Sequence, residues 1–382
     1  IINRFSDIHA YPVMAYLDYG IIGGGIAGLS LALNLNQRGY RVKIYSDRKT
    51  LDDKNPPYAS LNPKYGIETI VHNELTYKAL QYALHFYPQF LPNTDFAFHG
   101  LHRLDDQPDL ELRFTKILKN NPYLKNEMIL DKSKSIGNHS SIFFKTAGWI
   151  RTDKLFRLNQ IPLKKISIDH IENNGNAIKL YFQKQMVGEH ECIILCNPQT
   201  LNRFSEHEIF NEHFSGSITI GKHESQHQSN ITKDGYILFD GDNFSSGSSY
   251  HKSIDSETLD PESEKKTLQK KTDWFHDKQL ICPDLNVWSG DRYTTKQRKP
   301  YVGKMLKQVN NQIEFKWYDN VYINTFYGSK GFSFAPFLSE LLIDLMLNQT
   351  KNENVKFLNY LNPYQNNIKG LNKSKLKDFY YV

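Results

Sequence analysis

A glycine-rich turn set between two apolar runs limits what this chain can fold into more than any other stretch. Residues 19–47 read YGIIGGGIAGLSLALNLNQRGYRVKIYSD. Ile21 and Ile22 lead into Gly23-x-Gly25-x-x-Gly28, an amphipathic run carries Leu29, Ala32, Leu33 and Leu35, and after Gly39 a second strand-like run follows at Val42–Tyr45. Strand, tight turn, helix and parallel strand in that order form the opening βαβ unit of a dinucleotide-binding fold. The three glycines act differently. Gly23 permits the turn, Gly25 lets the backbone approach a pyrophosphate, and Gly28 lets helix and strand pack closely. The helix N-terminus, with Gly24, Ile26 and Ala27 around it, offers unpaired N–H groups and a partial positive charge to phosphates. The second strand of such units ordinarily ends in an acidic residue that grips the ribose hydroxyls. Ser46 stands there instead, with Asp47 next to it.

The rest of the chain supports one large α/β assembly with an antiparallel sheet. Its 382 residues suffice for one large or two intertwined domains, and a hydrophobic share of 39% marks it as globular rather than disordered. A net charge of +6 tolerates an anionic partner without requiring one. Cys192, Cys196 and Cys282 are odd in number and lack zinc-type spacing, so the expectation is a reducing, cytoplasmic compartment without structural disulfides. The fourteen histidines show no paired metal spacing, and no metal is expected. No apolar run is long enough to span a membrane.

The run Glu191–Pro198 reads as a buried parallel strand, Ser215–Tyr250 as strands of an antiparallel sheet, and Lys116–Lys134 as loop and surface helix. Asp255–Lys271 is charged and helical. Near the end a second strand–glycine–helix unit occurs, with Asn320–Thr325, then Gly328-Ser329-Lys330-Gly331, then the helix Phe334–Leu347. That recurrence implies a Rossmann-like cofactor domain built from discontinuous segments, 19–75, 145–205 and 300–382, with an inserted α+β substrate domain of 76–144 and 206–299. Residues 1–18 are expected to be a linker or N-terminal arm, and the lysines of 369–377 a solvated tail.

Several blocks taken together resemble the glycine oxidase/D-amino acid oxidase class of flavoproteins. Within that class the chain resembles the FAD-dependent oxidoreductase half of the bifunctional enzymes that modify the tRNA wobble uridine. Besides the first glycine block, these are Ala59-Ser60-Leu61-Asn62-Pro63-Lys64, Ala147-Gly148-Trp149-Ile150, Asp234-Gly235-Tyr236, and Gly247-Ser248-Ser249-Tyr250-His251. Arg292 with Pro300–Gly303, the segment Tyr327–Leu342, and the closing Leu361-Asn362-Pro363 complete the set. Leu61 departs from the usual glycine of its block, and Lys330 stands where arginine is usual, keeping charge but losing the bidentate fork.

The resemblance implies FAD as cofactor, held by the residues of the first turn together with Ser46, Asp47, Ala59, Ser60, Asn62 and the segment Gly328, Ser329, Lys330, Gly331, Phe332. It implies oxidation of the carboxymethylaminomethyl group of the wobble uridine to aminomethyluridine with release of glyoxylate. tRNA is then the substrate and a methyltransferase, fused or separate, a partner. Arg292 is expected to hold the substrate carboxylate, since a planar fork suits that group; a surface or interdomain salt bridge is its alternative. Lys330 is expected near the flavin or the carboxylate, or facing solvent. Tyr250 joins the catalytic set, its alternative being a buried structural tyrosine, and Trp149 is expected to pack. Two other functions compete: a free amino-acid oxidase of the glycine or sarcosine type, and a degenerate flavin- or tRNA-binding module.

Overall fold

The computed structural model describes residues 18–47, 55–105, 107–136, 139–157, 161–175, 177–205, 211–223, 229–272, 286–310 and 314–364. Residues 1–17 of the expected arm, the lysine-rich tail and Cys282 lie outside them, and Asp18, the last residue assigned to that arm, instead opens the first strand.

The first glycine unit forms strand Asp18–Ile22, helix Ile26–Gln37 and strand Arg41–Ser46. The two strands pair in parallel with Tyr19 opposite Val42 and Ile21 opposite Ile44, and Gly23 extends the ladder by donating to Tyr45 O at 2.9 Å. They lie inside a six-stranded sheet that runs from Tyr301–Asn310 through Glu314–Thr325, Cys192–Leu195, Asp18–Ile22 and Arg41–Ser46 to Leu163–Lys165. All neighbours are parallel except the first pair, which is an antiparallel hairpin.

Both faces of this sheet are covered, which explains the continuous apolar character of its central strands. Tyr19, Ile21, Ile44 and Ile194 pack with the helices Ile26–Gln37, Ile70–Phe86 and Gly331–Met346. Ile22, Tyr45, Ile193, Leu195 and Ile323 pack on the opposite side with Ile178 and Leu180, from a three-stranded antiparallel sheet of residues His170–Asn173, Ile178–Phe182 and Gln185–His190. Cys192 and Cys196 are buried, and burial pushes both thiols well above the usual range.

A nine-stranded sheet holds most of the strands expected between Ser215 and Tyr250, now bounded as Asn211–Lys222, Asn230–Thr232, Tyr236–Asp240 and Asn243–Gly247. It is antiparallel except where Asn230–Thr232 runs parallel to Leu101–Leu104. Lys116–Lys134 needs correction: helix Leu110–Asn120 is followed by strand Met128–Ile136, which pairs with His139–Phe144. Met128 turns into the core while Ile129 is 45% exposed, and Lys132 faces water, so this edge strand shows little alternation in its sequence.

A fourth sheet, Tyr58–Leu61 with Gly148–Arg151 and Phe96–Ala97, lies between the six-stranded and nine-stranded layers. Tyr58 there donates to Asp240 Oδ2 of the nine-stranded sheet at 2.7 Å, with Arg151 5.6 Å over its ring. Trp149 packs as expected, buried, donating from its indole N–H to Phe239 O at 2.8 Å. No helix among the described residues is long and apolar enough to cross a membrane.

Candidate active site

A cavity of about 530 Å³ runs from the first glycine turn to the inner face of the nine-stranded sheet. The turn is shaped so that only glycine fits it. Gly23 has φ +122°, and a Cβ there would come within 2.8 Å of Asn197 N. One at Gly28 would lie 2.0 Å from Gly23 O, so Gly28 serves the packing of helix on turn and does not itself line the cavity. Helix Ile26–Gln37 has no side-chain cap, and its first intrahelical bond is Leu29 N to Gly25 O. The N–H groups of Ile26, Ala27 and Gly28 are therefore free of intrahelical partners where the helix dipole is positive.

Gly24, Gly25, Ile26, Ala27, Ser46, Asp47, Ala59, Ser60 and Asn62 all line the cavity, as do Gly328, Ser329, Lys330, Gly331 and Phe332. Ser46 is buried at the end of its strand, whereas Asp47 is exposed. Asn62 is fixed by a residue that the sequence does not single out: Arg103 donates to Asn62 Oδ1 at 2.8 Å and to Pro63 O at 2.5 Å. Gly331 begins helix Gly331–Met346, and a Cβ on it would lie 2.8 Å from Ile26 Cγ2, so this helix start and that of Ile26–Gln37 are pressed together. Pro336, inside that helix, cannot bond the Phe332 carbonyl four residues back. Tyr87 takes its place, donating to Phe332 O at 2.6 Å.

The opposite wall is built on strand Asn211–Lys222. Arg292 stands on its neighbour Asn286–Thr295, directly across from Phe214, while Tyr250 lies beside strand His251–Lys252 on the other side. The two meet over Gly216, where a Cβ would come within 2.1 Å of Ser249 O and 3.1 Å of Arg292 Nη1. The guanidinium sits 4.9 Å from the centre of the Tyr250 ring. Its Nη1 is buried and has no hydrogen-bond partner. Among the described residues Arg292 forms no ion pair, so neither salt bridge of the alternative reading is seen there. Tyr250 is not the buried tyrosine of the alternative reading, since 54% of it is exposed. Crowding of its hydroxyl acts to raise its pKa, but Arg292, Ser329, Lys64 and Ser248 favour the phenolate and bring it below the usual tyrosine value.

Lys330 is half-buried, with Nζ donating to His72 Nε2 at 3.2 Å and lying 5.5 Å from the Phe334 ring. Burial first, then the charges of Lys64 and Arg298, pull its pKa down to about 8. Burial and Lys330 together pull His72 to about 4, so the imidazole is neutral and accepts. His251 is turned away from the cavity and bonded to Glu264 at 2.8 Å. Among the described residues one cluster has potential metal-ligand geometry, His213, Asp255 and Asp291. Asp291 already accepts from His213 Nε2 at 3.0 Å and from Ser256 N and Oγ, so these groups form a hydrogen-bond network.

Residues 18–345 match the family model described as "DAO: FAD dependent oxidoreductase". The chain belongs to the DAO family of FAD-dependent oxidoreductases. Oxidation at a CH–NH group agrees with that membership, and FAD is the family's cofactor. The cavity fits it on three counts: the turn that a Cβ would fill, the uncapped helix start, and two buried polar atoms lining it without partners, Ser60 Oγ and Arg292 Nη1.

Among curated relatives the chain is similar to the tRNA 5-methylaminomethyl-2-thiouridine biosynthesis bifunctional protein MnmC of Acinetobacter baylyi, 25% identical over 95% of this chain and 57% of the relative. Similarity to the protein of the same name in Leptospira interrogans is 24%, over 93% of this chain and 61% of the relative. The chain thus spans about three fifths of the length of these relatives. Solved DAO-type folds include glycine oxidase from Bacillus cereus, with TM-score 0.69 and 16% identity over 88% of this chain and 98% of that one. L-Proline dehydrogenase from P. horikoshii has TM-score 0.72 at 14% identity, over 93% and 99%.

Proposed function

We propose that this DAO-family enzyme oxidises the carboxymethylaminomethyl group on the wobble uridine of tRNA, yielding aminomethyluridine and glyoxylate. The observation that carries this is the partnerless, buried Arg292 Nη1 facing a cavity continuous with the nucleotide turn. A buried charged donor without an acceptor is costly, and a carboxylate held by its fork relieves that cost. The similarity to proteins named MnmC supports the nucleic-acid substrate.

Bound FAD supplies the two-electron acceptor for the glycine-like CH₂. The residues of this chain do the rest. Arg292 fixes the carboxylate and Tyr250, stacked against it, limits how that carboxylate can turn. Lys330 and Lys64 add positive charge along the same cavity, which favours an anionic substrate and leaves its amine free to lose a proton. His251 is committed to Glu264, and no side-chain base is required because hydride leaves from a neutral amine. The imine product is hydrolysed to the primary amine and glyoxylate. A methyltransferase acting on that amine, fused or separate, is the expected partner.

The same wall could serve free glycine or sarcosine, whose carboxylate and amine have the same spacing. Anaerobic mixing of the FAD-loaded protein with tRNA bearing carboxymethylaminomethyluridine, with glycine and with sarcosine decides between them. Flavin bleaching and glyoxylate release with the tRNA alone is the expected result. Bleaching by the free amino acids would assign a small-molecule oxidase, and silence with all three would leave a binding module without turnover.

A further inference from the structure

Behind the Tyr250–Arg292 wall lies a buried carboxylate that the chemistry above does not use. Glu264 stands one turn into helix Pro261–Thr272 and is 3% exposed. It accepts from Ser249 Oγ, and its Oε1 lies 2.8 Å from His251 Nε2. Ser249 and His251 are the two neighbours of Tyr250 in the chain. In extended backbone, successive side chains point to opposite sides, so a residue that grips both neighbours turns the one between them outward. Here outward is into the cavity.

The grip continues into the central strand. Ser217 N donates to Ser249 Oγ at 2.8 Å, Ser249 N donates to Ser217 O at 3.1 Å, and Ser217 Oγ is 2.6 Å from Ser289 Oγ on the strand that carries Arg292. One carboxylate therefore ties together the segment bearing Tyr250, the strand beneath it and, through Ser217, the strand bearing Arg292. Leu268, one helical turn further on, is 1% exposed and docks the same helix by apolar contact. The helix thus has an anchor independent of Glu264.

We infer that Glu264 is a positioning residue that holds Tyr250 against Arg292 at the cavity wall by gripping Ser249 and His251 on either side of it. The inference rests on the proposed role of that wall, but its first test does not depend on any substrate. Tyrosinate absorbance is followed against pH in the full-length FAD-loaded protein, with the Tyr250→Phe protein subtracted to isolate Tyr250. Two variants are compared, Glu264→Ala and Glu264→Gln. The amide of the second can accept from Ser249 and donate to a neutral His251, so it keeps the grip without the charge.

Deleting a negative charge acts to ease ionisation of Tyr250, whereas moving the ring away from Arg292 acts to hinder it. Glu264→Ala is expected to shift the Tyr250 titration upward, and Glu264→Gln to leave it where it is or slightly lower. With tRNA bearing the modified uridine, flavin reduction at saturating substrate is expected to slow by about tenfold in the alanine variant and to stay within about threefold in the glutamine variant. An unchanged or downward titration in Glu264→Ala would overturn the inference, as would equal defects in both variants. If Glu264→Ala fails to fold, an upward titration in Glu264→Gln would likewise overturn it, and Ser249→Ala, which removes one of the two gripped groups, is then expected to show the upward shift. Failure of the wild-type protein to react with any tRNA would count against the proposed function while leaving the titration result standing.

Discussion

The Arg292 guanidinium lies 4.9 Å from the centre of the Tyr250 ring and leaves its own Nη1 buried without a hydrogen-bond partner. The ring lies against the guanidinium, and the partnerless donor marks where an anion would sit. Replacing Arg292 with alanine should leave the flavin spectrum intact, because the residue lies across the cavity from the nucleotide turn. Loss of a charge-assisted pair worth about 3 kcal/mol corresponds to roughly a hundredfold slower reduction by substrate. Stopped-flow bleaching measures this directly, and full retained activity would remove Arg292 from the mechanism.

The glycine turn predicts a different failure. Gly28→Ala would place a methyl group 2.0 Å from Gly23 O, a backbone atom that can yield only by moving the turn. Gly25→Val would put a branched side chain where the pyrophosphate must approach. Both proteins should purify without flavin and fail to take it up when FAD is added, as read from the visible flavin absorbance. A yellow, active Gly25→Val protein would contradict the placement of the cofactor.

These two predictions differ in how legible their residues are in the sequence. The glycine turn is a local pattern: the strand, turn and helix that give it meaning are contiguous in the chain, so its geometry can be read directly. Arg292 can be picked out only through its resemblance to a family block, since nothing in the local sequence says that Phe214 lies across from it or that Gly216 clears space beneath it. Glu264 and His72 leave no signal at all. One sits on a helix that reads as a charged surface segment, and the other meets Lys330 across 258 positions of chain. Strand Met128–Ile136 is hidden because it lies at a sheet edge, where the polar face dominates the pattern.

Lys330 should impose a pH limit on substrate binding. Its pKa is pulled down to about 8, so above that pH the ammonium is lost and an anionic substrate is held less well. KM for the modified tRNA is expected to rise as pH passes upward through that value. Lys330→Arg keeps the charge throughout and should flatten the rise. A KM profile identical in both proteins would place Lys330 outside substrate binding.

His72 makes the fold sensitive to acid. Its folded-state pKa of about 4 lies below the ordinary histidine value of 6.5, so the unfolded chain binds more protons between those two values. Stability is then complete above about pH 6.5 and falls as pH drops toward 4, by at most about 1.4 kcal/mol per pH unit for this one group. Burial lowers His190 too, and it contributes in the same direction. Tm followed from neutral pH down to about pH 4 should fall less steeply in His72→Gln than in the wild type, and parallel curves would refute the assignment.

Tyr87 substitutes for the hydrogen bond that Pro336 cannot make. The phenol is fully buried and burial raises its pKa well above the usual value, so it remains a donor to Phe332 O across the working pH range. Tyr87→Phe would leave that carbonyl unsatisfied next to a residue lining the cavity, at a cost of about 1–3 kcal/mol. Pro336→Ala alone restores an N–H within reach of the same carbonyl, provided the helix straightens. The double variant should therefore recover part of the loss, with a coupling energy that a double-mutant cycle of urea midpoints would reveal. Strictly additive effects would mean that the tyrosine and the proline act independently.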